Sequence, residues 1–75
     1  MSWKAVFENP VRENMDKRFA RRLHNRDQVE VRVGREWIPG YVLGDPSTAS
    51  MDGAVYVDVQ TEIGLLYSVR HTDLR

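Results

Sequence analysis

The chain has 75 residues, no cysteine, and eleven acidic and eleven basic side chains. A single domain of this size buries only about 60% of its unfolded surface, so its hydrophobic core is small. Disulfides, thiolate metal ligands and thiol catalysis are excluded, because all three need cysteine.

Charge is unevenly distributed along the chain. From Arg12 to Asp27, six basic residues stand against three acidic ones, whereas from Gln28 to Arg75 four basic residues stand against seven acidic ones. This segregation favours a partner or nucleic-acid surface, or a basic segment that complements its own acidic domain. Nine of the eleven basic residues are arginine, a bias common in GC-rich genomes, so we expect a bacterial or phage origin. No apolar run suits a signal peptide or a membrane span, so we expect a soluble, cytoplasmic protein without membrane contact.

The first third of the chain predicts a short strand or flap and then a helix. Residues 1–8 alternate weakly, and Asn9-Pro10 is typical of a helix start. We therefore predict a strand or flap over residues 1–8 and a basic amphipathic helix over residues 9–25. Apolar residues recur on one helix face at every fourth position, namely Val11, Met15, Phe19 and Leu23.

Residues 28–75 alternate between apolar and polar side chains, which is the period of half-buried strands. We predict strands over residues 28–33, 37–43, 54–60 and 64–70, with a flexible loop between Gly44 and Gly53. His71-Thr72-Asp73 is expected to form one turn that returns Leu74 to the core. Such short strands hide their edges by curling into a small barrel.

The second strand contains Pro39 and Gly40. Proline cannot donate a ladder hydrogen bond, so the strand is expected to lie at an edge or to bulge there. Glycine allows another backbone to approach closely, or a sharp bend.

The spacing of these residues resembles the SH3-like barrel group, within it the Tudor, Agenet and KOW type. An aromatic residue is followed by a small residue three positions on and an aliphatic one two further on: Trp37, Gly40 and Val42. A glycine, a valine five positions on and a leucine–arginine pair follow, namely Gly64, Val69 and Leu74-Arg75. The resemblance covers residues 28–75 and implies a small SH3-like barrel of four to five antiparallel strands, preceded by the N-terminal helix in a single domain.

A basic helix before such a barrel is also similar to the Sm-like RNA-binding ring proteins. Gly40 to Asp45, which reads G-Y-V-L-G-D, carries this second resemblance together with the preceding V-x-V-x-V-G strand. It implies a closed oligomer that binds RNA. The long loop before the third strand departs from that pattern, because Sm-like strands are joined tightly there.

Aromatic side chains form the first candidate site. If Ile38, Gly40 and Val42 point inward, the pleat places Trp37 and Tyr41 outward on one face. The same alternation leaves two further outward residues on the third strand. An aromatic groove of this kind suits a cation, a peptide or a stacked base, unless its rings pack against the N-terminal helix. Its predicted members are Trp37, Tyr41, Tyr56 and Asp58.

The basic face of the predicted helix is the second candidate site. Its side chains suit phosphate groups or an acidic protein surface, and a solvated face without a partner is the third interpretation. The predicted members are Lys17, Arg18, Arg21, Arg22 and Arg26.

No catalytic motif or metal-ligand spacing occurs around His24 or His71, so we expect no enzyme, cofactor or metal. We expect a small binding or adaptor module that acts through protein–protein contacts, plausible in a bacterial or phage assembly. Direct binding of RNA or DNA through the basic helix and the aromatics is the alternative, with a homo-oligomer left open.

Overall fold

The computed structural model describes residues 14–49 and 51–75, and it consists of one antiparallel sheet with one short α-helix. The mainly β class predicted from the alternation is therefore confirmed. No helix of the described residues could cross a membrane. The elements in chain order are α1 (Lys17–Ala20), β1 (Gln28–Val33), β2 (Glu36–Thr48), β3 (Val55–Thr61), β4 (Gly64–Arg70) and a 3₁₀ turn (His71–Asp73).

Valines that alternate along the strands build the core. On β3, Val55, Val57 and Val59 are buried, and the residues between them are half-buried. Val33, at the end of β1, is exposed because it lies on the last rung before the Gly34 turn. On β2, Val42 is fully buried as expected, whereas Ile38, also expected to point inward, is only half-buried. The core cluster contains Ala20, Leu23, Val29, Val31, Val42, Val55, Val57, Val59 and Leu74.

The four strands follow the chain in space, so β1 and β4 are the outer strands of the sheet. Each strand pairs antiparallel with the next. The predicted turn at His71–Asp73 does return Leu74 to the core, where it is fully buried. There Leu74 forms an isolated antiparallel bridge with Val31 of β1. Closure of the whole sheet into a barrel stays a prediction.

The helix is much shorter than the basic amphipathic helix predicted over residues 9–25. Asp16 is its N-cap: the Asp16 backbone is extended, and its carboxylate accepts a 2.7 Å hydrogen bond from the Arg18 amide. Aspartate at this position satisfies an amide that has no partner within the helix, so the helix begins at Lys17. Phe19, predicted to lie on the apolar face, is 61% exposed, so that part of the predicted face is wrong. The predicted residues 9–13 of the helix, and the strand or flap over residues 1–8, lie outside the described residues.

Contacts with β2 explain why the helix does not reach its predicted end at residue 25. The Arg26 amide donates to the Val42 carbonyl, and the Val42 amide donates to the Asp27 carbonyl. The side chain of Asn25 accepts a 2.8 Å hydrogen bond from the Gly44 amide. These bonds draw residues 25–27 alongside β2, a geometry that a helix cannot adopt.

Strand β2 is longer than predicted, because it absorbs half of the predicted Gly44–Gly53 loop. The register shifts between Leu43 and Ser47, and pairing with β3 then resumes. Gly44 sits in this irregularity with φ +76°, a conformation that glycine adopts without strain.

Pro39 occupies an interior strand, yet no hydrogen bond is lost there. The backbone N–H and C=O of its β1 neighbour Glu30 are both bonded to Arg75, on the far side of β1. In an antiparallel ladder, the nitrogen of Pro39 must then face the β3 side. Pairing between β2 and β3 starts only at Gly40 and Thr61, so the Pro39 position has no partner on that side.

Gly40 brings β2 and β3 close together. A Cβ atom at this position would lie 2.6 Å from the Gln60 carbonyl oxygen and 2.8 Å from a methyl group of Val59. Both distances are too short for contact, which confirms the predicted close approach.

We expect Gly40→Ala to lower the free energy of unfolding by about 1–3 kcal/mol, because the strands must separate to admit the methyl group. Urea denaturation measures the change. Gly44→Ala is the control: nothing lies within 4 Å of its Cβ position, so only its positive φ carries a cost. Wild-type stability of Gly40→Ala would contradict the steric argument.

Candidate functional site

Tyr41 lies in the middle of a row of polar side chains that crosses three strands. It pairs with Gln28 of β1 on one side and with Gln60 of β3 on the other. Cross-strand partners project from the same face of a sheet, so the phenol ring stands between two amides. Tyr41 is 41% exposed, and it lies on the outward face as predicted.

This row lies in a groove of about 750 Å³ that is open to solvent. The groove offers an aromatic ring, amide donors and acceptors, and one charge of each sign. Its composition suits a ligand that makes both apolar and hydrogen-bonding contacts. The lining residues are Arg26, Gln28, Pro39, Gly40, Tyr41, Gln60, Thr61 and Glu62.

The two charges of the groove are held at opposite sides of Tyr41. Arg26 immediately precedes Asp27 and β1, while Glu62 follows β3. The hydroxyl of Thr61 donates to the Gly64 carbonyl at 2.8 Å and accepts from the Ile63 amide at 3.2 Å. These bonds fix the turn that carries Glu62, so the acidic side of the groove is anchored.

Trp37 lies on the same face of β2 as Tyr41, but its ring is already engaged. The guanidinium carbon of Arg75 lies 4.5 Å from the centre of the ring, and that of Arg32 lies 5.5 Å away. Both distances are typical of cation–π contacts. Arg75 also binds the carboxylate of Glu30 at 2.7 Å, and Arg32 binds Asp73 at 2.9 Å. Trp37 therefore acts within the fold, as an anchor for residues 73–75.

Tyr56 lies at the other end of the sheet from Trp37. Gln60 of β3 pairs with Tyr41 of β2. Tyr56 lies four residues from Gln60 along β3, and Trp37 lies four residues from Tyr41 in the opposite direction. Eight strand positions correspond to about 25 Å along straight strands. The structure therefore does not bring the four residues of the predicted aromatic groove into one site.

Tyr56 and Asp58 make contacts of their own at that end. The Tyr56 hydroxyl accepts a hydrogen bond from Arg70 at 3.3 Å. The Asp58 carboxylate accepts a 2.9 Å hydrogen bond from the amide of Ser68, where the pairing with β4 is irregular. Asp58 thus supports the backbone of β4.

A second, smaller cleft of about 480 Å³ contains Asp16, Asp52 and Arg70. The Ala54 amide, followed by Arg70, lowers the pKa of Asp52 below its usual value of 3.8. The Arg18 amide lowers the pKa of Asp16 in the same way. A carboxyl group whose pKa is lowered by folding stabilises the fold at pH values above its usual pKa. That contribution is lost as the pH falls through the folded-state pKa.

The structure also divides the predicted basic face. Arg18 pairs with Asp16 at 3.6 Å, and the ammonium group of Lys17 lies 3.4 Å from the Asp52 carbonyl. Arg21 reaches the same turn, near Gly53, while Arg22 is exposed. Arg26 instead lines the Tyr41 groove. The five residues thus belong to at least two surfaces.

Residues 14–49 and 51–75 contain no group of three or more histidine, aspartate or glutamate side chains that could hold a metal ion. No known protein family matches the chain, and no curated protein or solved structure is detectably similar to it.

Of the eight groove residues, only Arg26 and Tyr41 were predicted as site residues. Gln28 and Gln60 reach Tyr41 only through the pairing of three strands, and Glu62 follows the last residue of β3. The available signal was position: Gln28 starts one predicted strand and Gln60 ends another.

We expect a double-mutant cycle of Trp37→Leu and Arg75→Met to give a coupling energy of about 0.5–1 kcal/mol, from the cation–π contact. Urea denaturation of the four proteins measures it. Arg35, which is exposed, supplies the control cycle with Trp37→Leu and Arg35→Met. Equal coupling in both cycles, or none in either, would contradict the anchoring role of Trp37.

Proposed function

We propose that this chain is a small non-enzymatic binding module that holds an extended segment of another protein in the groove around Tyr41. The exposed ring of Tyr41, flanked by Gln28 and Gln60, is the observation that carries the proposal. Tyrosine supplies a large contact area at low entropic cost, and it is enriched at protein interfaces.

The amides beside Tyr41 favour a polypeptide partner. A glutamine side chain has one acceptor and two donors, so it can bond both the C=O and the N–H groups of a peptide. Gln60 uses one donor on the Thr61 carbonyl at 3.2 Å, which fixes its amide and leaves its oxygen available. A preorganised amide loses less entropy on binding than a mobile one.

The architecture we propose for the module is the SH3-like barrel. Four sequential antiparallel strands, the 3₁₀ turn at His71–Asp73 and the bridge between Leu74 and Val31 support it. A fifth short strand at residues 74–75 would cover the outer edge of β1 and reduce the aggregation risk of an uncovered edge.

Nucleic-acid binding is the second candidate. Arg21, Arg22 and Arg26 form no ion pair with any carboxylate of residues 14–49 and 51–75, so they can contact phosphates. Mobility shift with single-stranded DNA and RNA at low and high salt tests this function. Salt-sensitive binding that Arg21→Ala with Arg22→Ala removes would support it over protein binding.

We expect Tyr41→Ala to abolish capture of a protein partner from nuclease-treated native lysate. The ring is the largest apolar contact that the groove offers, and interface tyrosines often contribute about 2 kcal/mol or more. Mass spectrometry of the captured proteins, compared between wild type and variant, measures the loss.

Tyr67→Ala is the matched control. Tyr67 is 72% exposed on β4 and does not line the groove, so its removal should leave capture unchanged. Thermal denaturation of both variants must show wild-type stability within a few degrees. Identical proteins captured by wild type and by Tyr41→Ala would show that the groove is not the binding surface.

A further inference from the structure

Arg26 has a backbone conformation that arginine rarely adopts. Its φ is +77°, and of the six described residues with positive φ, four are glycine. The remaining one, Ser68, has a small side chain. A non-glycine residue in this region carries a conformational cost, because its Cβ crowds the backbone.

The fold needs this conformation at residue 26, but it does not need the side chain. The Arg26 amide donates to the Val42 carbonyl at 2.6 Å, and the Val42 amide returns a bond to the Asp27 carbonyl at 2.9 Å. Both bonds involve only backbone atoms. Glycine would form them with less strain, so the backbone alone does not account for an arginine at this position.

Arg26 lines the Tyr41 groove, and its charge is not neutralised there. It is exposed, and no carboxylate in the described ranges forms an ion pair with it. A guanidinium group binds a carboxylate through two parallel hydrogen bonds, which gives both strength and a fixed orientation.

Glu62 supplies the opposite charge on the other side of the groove. Arg26 lies on the β1 side of β2, level with Val42, to which its amide donates. Glu62 lies on the β3 side, one residue past the Gly40–Thr61 pair and so level with Pro39. Two strand spacings across and three residues along the strands separate them by about 14 Å, which is the length of about four extended residues. The groove is thus dipolar, with Tyr41 between its charges.

We propose that the bound protein segment crosses the strands diagonally and carries an acidic residue at Arg26 and a basic residue about four positions away at Glu62. The inference rests on the proposed function and adds the chemistry and the direction of the partner. A reversed segment places like charges together, which disfavours it.

Selection of a phage-displayed library of random seven-residue peptides tests the proposal. Wild-type protein is expected to enrich peptides with aspartate or glutamate about four positions from lysine or arginine. Arg26→Gly should lose the acidic preference, and Glu62→Gln should lose the basic preference. For a selected peptide, Arg26→Gly should weaken the Kd about tenfold or more.

Stability gives an independent readout. Because glycine relieves the strain at residue 26, Arg26→Gly should have a Tm equal to or a few degrees above that of wild type, while its peptide binding falls. Arg26→Lys retains the charge and the strain but not the paired donors, so it should keep the wild-type Tm and lose less affinity than the glycine variant.

The outcomes separate the two proposals. One outcome is that peptides bind wild type but not Tyr41→Ala and show no acidic preference. That outcome would overturn this inference while supporting the proposed function. A lower Tm for Arg26→Gly would show that its side chain serves the fold, which also overturns it. No Tyr41-dependent peptide at all would overturn both, and Arg26-dependent binding of a thymidine oligonucleotide alone would assign Arg26 to phosphate.

Discussion

Residues 74 and 75 lie along the outer side of β1, and the rest of the structure depends on this attachment. Glu30 and Arg75 exchange two backbone hydrogen bonds of 2.8 and 2.9 Å, while Leu74 is buried against Val31. In a core made mostly of valine, Leu74 is the largest fully buried side chain. Burial of a leucine contributes about 2 kcal/mol, a large share of the stability of a small domain.

The same attachment determines how the outward face is used. It places the Arg75 guanidinium over the ring of Trp37, and the ion pair with Glu30 keeps it there. Because both backbone groups of Glu30 bond to Arg75 and not to β2, Pro39 has no hydrogen bond with β1 to lose. Trp37 and Tyr41 are four residues apart on one face, yet one ring serves the fold and the other lines the open groove.

Much of the sheet was predictable, because the two-residue alternation is a local signal. Val55, Val57 and Val59 identify a strand and its inner face from the sequence alone. The predicted helix was too long. Met15 precedes the Asp16 cap and Leu23 follows the last helical residue, yet both pack in or against the core, so their apolar spacing does not require a continuous helix. Apolar spacing identifies the residues that share a helix face, but it does not show where an N-cap makes the helix begin.

The candidate site was less predictable than the fold. The strand pleat predicts on which face of the sheet Trp37 and Tyr56 lie. The separation between their rings, however, depends on the register of β2 and β3. The arginines over Trp37 come from residues 32 and 75, which only the folded chain brings together. The conformation of Arg26 likewise follows from its bonds with Val42, and it leaves no trace in the composition.

Amide hydrogen exchange tests the role of residues 74 and 75 most directly. Since the Glu30 and Arg75 amides each donate to the other residue, both should exchange as slowly as the Val42 amide in the centre of the sheet. Glu30 and Arg75 amides that exchange at the rate of an unprotected peptide, while Val42 stays protected, would contradict the account. The attachment would then be a local contact that opens freely, and neither the anchoring of Trp37 nor the position of Pro39 could depend on it.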